Sequence, residues 1–414
     1  MDRGDYTFAM NRLGAKQAAR MIERGELTAQ TLIRACLERI AERDSDVQAW
    51  QCLNKDFPEN SKGPLFGVPV GVKDIFDTHD LPTEYGSPIY QGYRPRADAA
   101  PVALTRRAGG TILGKTVTTE FATMVPSRTR NPHELSHTPG GSSSGSAAAV
   151  ADFMVPLAFG TQTAGSLIRP ASYCGIVAYK PTYNLLPRAG MKEEADSLDT
   201  VGVMARSVED AAFFVAALTG LDFSSTADRP RIGVFRGDVQ PEMAAVVERA
   251  AAALEARQIR LPRPYDEMRA AHAAILWYEF AHNLSDEYTR FPGKIHPMLR
   301  ERCEKGFALE RGEYLRAQRT AMECRARLDA AFGDCDVLIA PAATGEAPPG
   351  LASTGDTAMN AVWTMLHVPC VAIPAGRGPH GMPLGIQVIG RIGDDARTLA
   401  CAEWIHSRLT RTKL

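Results

Sequence analysis

The chain has 414 residues, 45% of them hydrophobic, and a formal net charge of −1 at pH 7. This length can bury a large core, and the near-zero charge gives no electrostatic reason to expect nucleic acid or an anionic membrane as a partner. The N-terminal residues 1–5 are charged and lack an apolar segment, and no run of 18 apolar residues occurs. Neither a secretory signal nor a membrane span is therefore expected.

The eight cysteines are scattered, and none belongs to a CxxC pair. In a chain of this size, that usage is typical of reduced, mostly buried thiols in the cytoplasm. The nine histidines show no HExxH motif or other paired metal-ligand spacing. The sequence therefore predicts a cytoplasmic protein without a metal or another cofactor.

The first half of the chain alternates predicted helices with apolar strands. Two helices are expected within residues 14–42, with Thr28 as the N-cap of the second. A strand at 67–76, a helix at about 99–108 and a strand at 111–113 follow. Another helix is predicted to begin after Ser144 and to lead to an apolar run at 155–159.

The second half continues the alternation. A strand is predicted at 231–235, and Pro241 suits the first turn of a helix that reaches about residue 257. The interval 265–330 is helical in pattern and charged. Strands are predicted at 336–340, 369–374 and 384–389, before a closing helix at 394–409. Strands that alternate with helices predict an α/β fold around a central sheet, and no linker divides residues 1–414 into more than a single domain.

One lysine and two turns of small residues carry the candidate chemistry. The turns lie at 140–146 and 160–166, and Lys73 has Val72, Ile75 and Phe76 as apolar neighbours. Serine is a weak nucleophile that needs an adjacent base. A lysine serves as that base only when neutral, and burial favours its neutral form.

The residues alone do not decide which serine reacts. Five are candidates, and in an extended segment Asp74 points away from Lys73 and need not be its partner. These five serines are Ser142, Ser143, Ser144, Ser146 and Ser166.

Several motifs resemble those of the amidase signature family, and within it the small bacterial malonamidase-type enzymes. The most specific match lies within residues 60–185, and the signature core extends over about 60–220. The motifs are Gly71-Val72-Lys73-Asp74, Gly140-Gly141-Ser142-Ser143-Ser144-Gly145, Thr163-Ala164-Gly165-Ser166, Lys180-Pro181-Thr182 and Gly381-Met382-Pro383-Leu384-Gly385-Ile386-Gln387.

The resemblance implies roles for three side chains. Ser166 would be the nucleophile, Ser142 the bridging serine and Lys73 the base, with a cis peptide bond between Gly141 and Ser142. It also implies one domain whose mixed central sheet is covered by helices on both faces.

The second turn would also supply the oxyanion hole, through the backbone amides of Thr163, Ala164, Gly165 and Ser166. Two residues depart from the family pattern: Ala164 replaces a common glycine, and Gln162 stands where many members have aspartate. The second departure leaves Ser143 and Thr161 as the side chains expected to support the site.

Arg169 is the candidate substrate-binding residue. Many family members carry arginine two residues after the nucleophile, whereas here it is third, as in malonamidase-like enzymes, where it receives a substrate carboxylate. A guanidinium binds a carboxylate through two parallel hydrogen bonds. The hypothesis is therefore a small amide that bears a carboxylate, such as malonamate. The alternative is a structural arginine that fixes neighbouring loops.

The predicted function is hydrolysis of a small carboxamide to a carboxylate and ammonia through an acyl-enzyme on Ser166. One alternative is the A subunit of a tRNA-dependent amidotransferase. Three features of the sequence argue against it: it lacks a basic face, the chain is shorter, and Arg169 is displaced. Another is a non-catalytic subunit that retains the fold. Cys174 as a nucleophile beside Lys73 is a further alternative, although a buried thiol is favoured. A homodimer is common in the family and is expected here.

Overall fold

The computed structural model describes residues 10–58 and 61–411. The charged N-terminal segment at 1–5 lies outside the described residues. The longer helices are α1 (Ala15–Glu23), α2 (Ala29–Val47), α3 (Ala100–Arg107), α4 (Ser144–Ala151), α5 (Ile168–Cys174), α6 (Val208–Thr219), α7 (Pro241–Ala253), α8 (Tyr265–Asn283), α9 (Ser285–Arg290), α10 (Pro297–Ala308), α11 (Arg311–Ala326), α12 (Leu328–Phe332), α13 (Ala361–Met365) and α14 (Asp395–Arg411).

The strands of the described chain form one sheet of eleven. They are β1 (Trp50–Leu53), β2 (Pro69–Lys73), β3 (Thr111–Thr116), β4 (Leu157–Gln162), β5 (Val177–Lys180), β6 (Thr200–Ala205), β7 (Ile232–Val234), β8 (Arg257–Gln258), β9 (Val337–Pro341), β10 (Cys370–Arg377) and β11 (Pro383–Ile389).

The sheet is mixed, and its strand order is β1-β3-β2-β4-β6-β5-β10-β11-β9-β7-β8. Strand β2 runs parallel to both β3 and β4, whereas β4 pairs antiparallel with β6. Helices flank this sheet, and their apolar faces join it in one core cluster. The predicted α/β fold is confirmed, and the assignment of residues 1–414 to a single domain stays a prediction.

Most predicted elements occur close to the expected bounds, and Thr28 caps α2 by accepting a hydrogen bond from the Thr31 amide at 3.1 Å. The strand predicted at 67–76 ends at Lys73. It ends there because the amides of Ile75 and Phe76 turn back to the Lys73 carbonyl, at 2.7 and 3.1 Å. Strands β1, β5, β6 and β8 were not predicted, and the helix that starts at Pro241 ends at Ala253, before the predicted residue 257.

Two sequence-based expectations concern the whole described chain. All eight cysteines are free, and Cys52 is the one that is not buried. Within the described residues, no helix combines the length and the apolar character that crossing a membrane requires.

Candidate active site

Strand β2 places Lys73 in the interior of the sheet. Every residue of β2 is buried, and the Lys73 side chain is fully buried between β3 and β4. Its Nζ lies 2.7 Å from Ser142 Oγ and 2.6 Å from Thr161 Oγ1. The amine that the sequence proposes as a base is therefore in hydrogen-bond contact with the proposed bridging serine.

Burial determines the protonation of this amine. It lowers the pKa of Lys73 to about 7, against the opposing charges of Glu194 and Asp199. A buried ammonium loses its hydration, so the neutral amine becomes accessible near neutral pH. A lysine in this state can accept a proton from a hydroxyl group.

Hydrogen bonds fix the backbone of the first turn at Ser142. The Gly141–Ser142 peptide bond is cis, as the resemblance implies. The Ser142 carbonyl accepts hydrogen bonds from the Thr119 amide and the Thr118 hydroxyl, each at 3.3 Å. Its side chain is thereby directed to Lys73 by a fixed backbone.

Ser143 and Thr161 connect the two turns. The Thr161 amide donates to Ser143 Oγ at 3.3 Å, and the Ser143 amide donates to the Ser166 carbonyl at 3.3 Å. Gly160 is required here because a Cβ atom at that position would lie 2.8 Å from Ser143 Oγ. Ser143 therefore supports both β4 and the turn that carries Ser166.

The second turn follows β4, and its carbonyl groups are all held. The Thr163 carbonyl accepts from His272 Nε2 at 2.9 Å, and the Ala164 carbonyl accepts from the Thr364 hydroxyl at 2.8 Å. The carbonyls of Gly165 and Ser166 accept from other backbone amides. The four amides of residues 163–166 donate no hydrogen bond to any residue the structure describes. They are available to a ligand, as an oxyanion hole requires.

Gln162 fixes the other end of this turn. Its Oε1 accepts from the amides of Leu167 and Ile168, each at 3.0 Å, and its Nε2 donates to the Thr364 hydroxyl at 3.0 Å. The amide oxygen accepts these two bonds as an aspartate would. The departure at this position therefore keeps the turn supported.

Ser166 lies at the bottom of a cavity of about 280 Å³. Its hydroxyl makes no hydrogen bond to another described residue. The cavity is closed on one side by residues 122–124 and on the other by helices α8 and α10. The lining includes Met124, Ser166, Arg169, Glu194, Arg269, His272, Leu276, Trp277, Arg302, Thr354 and Asp356.

Arg169 lines the same cavity from α5. Its side chain is buried, and it donates to the Gly141 carbonyl at 2.7 Å and to Thr354 Oγ1 at 3.3 Å. Its Nε and Nη1 atoms are buried without a hydrogen-bond partner among the described residues. Burial lowers the pKa of this guanidinium, although an arginine remains charged. Arg169 therefore fixes Gly141 and still has donors to offer.

Sequence reasoning missed the acidic residues behind the second turn. Asp199 accepts a hydrogen bond from Thr163 Oγ1 at 2.5 Å, and Glu194 pairs with Arg302 at 2.9 Å. Both acidic side chains are buried. No motif marks them, and their position depends on the pairing of β4 with β6, which was not predicted.

Other polar residues in and near the motifs have structural partners. Asp74 faces away from Lys73 and pairs with the buried Lys115 at 3.1 Å. His133 Nε2 contacts the Cys174 carbonyl, and Cys174 is a buried thiol whose pKa is raised by burial. Asp336 binds Arg231 and Arg397, and Gln387 binds two backbone carbonyls.

Among the described residues, one group of potential metal ligands comes together: His79, Asp80 and Asp98. Arg106 donates to both of these carboxylates, at 2.7 and 3.0 Å. A guanidinium thus already neutralises the group, which lies apart from the residues that line the Ser166 cavity.

Comparison with known protein families identifies the family to which this site belongs. The model of the family described as Amidase matches residues 21–399. The chain belongs to the amidase family. It is a hydrolase of the amidase signature type, and it acts on amide C–N bonds.

Its relatives include proteins of two kinds. It is 32% identical to the A subunit of the glutamyl-tRNA(Gln) amidotransferase from Lysinibacillus sphaericus strain C3-41, over 92% of this chain and 93% of that relative. It is 27% identical to a crystal structure described as an amidase, with a TM-score of 0.87 over 96% and 100% of the two chains. It is also 27% identical to the native peptide amidase of Stenotrophomonas maltophilia, with a TM-score of 0.82 over 97% and 98%.

These comparisons revise two arguments from the sequence. The chain covers nearly the whole length of this amidotransferase relative, so its length does not separate it from that class. The family assignment is confirmed, but the comparisons do not single out the malonamidase type.

Proposed function

We propose that this amidase hydrolyses a small, carboxylate-bearing carboxamide, such as malonamate, to a carboxylate and ammonia. The observation that carries the proposal is Arg169. Two nitrogen atoms of its buried guanidinium, Nε and Nη1, have no hydrogen-bond partner among the described residues, and the side chain lines the cavity that holds Ser166. A buried donor without a partner costs about 1–3 kcal/mol, which a bound carboxylate would recover.

Acylation would begin with the neutral amine of Lys73. Ser142 passes its proton to Lys73 and takes the proton of Ser166, whose oxygen attacks the carbonyl carbon of the amide. The short contact between Lys73 and Ser142 supports this relay. The tetrahedral oxyanion would lie against the free amides of residues 163–166. One such donor contributes about 2.7–4 kcal/mol to transition-state stabilisation.

Collapse of the intermediate breaks the C–N bond. The Lys73 ammonium returns its proton through Ser142 to the leaving nitrogen, and ammonia departs with Ser166 acylated. A water molecule then attacks the ester and gives one proton through Ser142 to Lys73. Collapse of the second intermediate breaks the ester bond, and this proton returns through Ser142 to the Ser166 oxygen. The acid product loses a proton to solvent and leaves as a carboxylate, and no step requires a cofactor.

The test is ammonia release from a matched panel of amides. Malonamate and succinamate carry a carboxylate, whereas propionamide and butyramide do not. In Arg169→Ala, we expect kcat/KM on the acidic amides to fall about 100-fold, because a charge-assisted bidentate contact is lost. On the neutral amides it should change less than about threefold.

Arg269→Ala is the matched control, because Arg269 lines the same cavity but has an exposed side chain. It should retain the preference for acidic amides. An equal loss on acidic and neutral amides in Arg169→Ala would contradict carboxylate binding and would favour the structural role through Gly141.

The similarity to an amidotransferase component favours a second candidate, an amidase that works with partner subunits. The two functions separate in one experiment with the purified chain. Turnover of the panel without any partner supports the small-molecule amidase. Labelling of Ser166 by a fluorophosphonate, with no turnover of any panel member, would support a partner-dependent enzyme.

The expected homodimer and cytoplasmic location remain predictions. Light scattering of the purified chain tests the first: a mass near twice that of one chain supports a homodimer, and a mass near that of one chain contradicts it.

A further inference from the structure

We propose that Asp199 is a positioning residue that anchors the oxyanion turn through Thr163 and adds negative charge to the buried surroundings of Lys73. This inference rests on the proposed roles of Lys73 and Ser166. It assigns a function to a residue that belongs to none of the family motifs in the sequence.

The sheet register brings Asp199 to the turn. Strand β4 pairs antiparallel with β6, and Gln162 lies opposite Thr200. The residues immediately beyond this pair are Thr163 and Asp199, so continuing the same register sets the carboxylate against the threonine that opens the turn. Asp199 is buried, and its Oδ1 accepts the Thr163 hydroxyl.

Asp199 is held without a cation. Its Oδ2 accepts the amides of Glu194 and Ala195 at 2.7 and 3.1 Å, which fixes the carboxylate on both sides. Among the described residues, no basic side chain forms an ion pair with it. Glu194 differs, because Arg302 neutralises it. Asp199 is therefore a buried carboxylate whose charge no arginine of the described chain offsets.

An uncompensated buried carboxylate favours a nearby positive charge. Lys73 becomes an ammonium in each proton transfer from Ser142, so the charge of Asp199 supports that state. The charges of Glu194 and Asp199 both raise the pKa of Lys73 against the larger effect of burial. Burial and the charge of Glu194 in turn raise the pKa of Asp199 to about 7.

The other titratable groups around Asp199 come from separate elements. Strand β2 contributes Lys73, and the loop after β5 contributes Tyr183, whose pKa is raised by burial and, to a smaller extent, by Asp199. Helices α8 and α10 contribute His272, on the Thr163 carbonyl, and Arg302, on Glu194. The pKa of His272 is lowered by burial to about 4, so this ring is neutral at pH 6–8.

The test measures the rate of Ser166 labelling by a fluorophosphonate as a function of pH. This readout requires no knowledge of the amide substrate. In Asp199→Asn, the acidic midpoint of the labelling rate should fall by about one pH unit, because one nearby charge shifts a pKa by this order. The plateau rate should also fall about tenfold, since a weaker base activates the nucleophile less.

Two controls separate charge from anchoring. Thr163→Val removes the hydroxyl but leaves the carboxylate, so the plateau should fall with the midpoint unchanged. Asp196→Asn removes an exposed charge from the same loop and should change neither. If Asp199→Asn does not fold, Asp199→Ser serves the same comparison, because serine is smaller and retains an oxygen atom on the side of Thr163.

An unchanged midpoint in the folded Asp199 variant would overturn the inference, even if its rate fell. A wild-type chain that is not labelled at Ser166 would instead contradict the proposed nucleophile. The two failures are thus distinguishable.

Discussion

The two walls of the Ser166 cavity are built on different principles. The inner wall is formed by Ala164 and Ser166 of the second turn. We include with it β2, β4 and the first turn, which support the second turn from behind with buried side chains and backbone hydrogen bonds. The outer wall consists of α8 and α10, which present large and charged side chains such as Arg269, Trp277 and Arg302. The difference teaches that the reaction chemistry is confined to one wall, whereas contacts with the substrate are available from both, because Arg169 lies beside Ser166 and the helices face it.

The largest expected effect lies on the inner wall. Ser166→Ala removes the proposed nucleophile, and we expect kcat to fall by about 10⁴- to 10⁶-fold. Ammonia release measures the loss, and mass spectrometry of the fluorophosphonate adduct locates the reactive serine. Ser144→Ala is the control, because Ser144 is buried in the first turn and bonded to Ser127. A loss in the control as large as that in Ser166→Ala would contradict the assignment.

Lys73→Ala should follow with a loss of about 10³-fold, because a general base contributes roughly 10²–10⁴-fold. Lys73→Arg should not restore activity, since arginine does not deprotonate. Lys180→Met is the matched control: Lys180 is equally buried but donates only to the carbonyls of Val368 and Pro181. It should lower the melting temperature and leave the turnover of folded enzyme within about threefold. Retained activity in Lys73→Ala would exclude it as the base.

The inner wall is also the part that the sequence predicts best. The resemblance to the family's motifs assigned Lys73, Ser142 and Ser166, whereas the residues alone left five serines as candidates. Asp199 did not follow, since its approach to Thr163 depends on long-range pairing of β4 with β6. Arg302 and Trp277 belong to helices that the charged pattern of 265–330 indicates, but periodicity does not fix how such helices pack on the sheet.

The pH dependence sharpens the comparison further. Lys73 acts as a base when neutral, and its pKa is lowered to about 7, so the active form predominates above that pH. We expect kcat/KM to rise about tenfold per pH unit below pH 7 and to level off above it. A profile of kcat/KM from pH 5 to 9 measures this. A midpoint near the ordinary lysine value would contradict a buried, neutral base.

The smallest effects are expected on the outer wall. Trp277→Ala enlarges the cavity without touching the relay, so kcat/KM should change by less than about tenfold and unequally across the amide panel. The labelling rate of Ser166 should stay within about threefold. Met322→Ala, on the exposed surface of α11, is the control. A uniform loss on all amides, together with slower labelling, would show that the outer wall takes part in the chemistry.

Gln162 makes one end of the second turn insensitive to pH. It holds the segment after the nucleophile through Leu167, Ile168 and Thr364, where many family members would use a carboxylate. A carboxamide has no protonation equilibrium between pH 3 and 10, so acid does not loosen this end of the turn. Its weakness is chemical rather than electrostatic. Deamidation would place a charged oxygen opposite the Thr364 hydroxyl. The support of the turn would then depend on pH, in a fraction of molecules that grows as the protein ages.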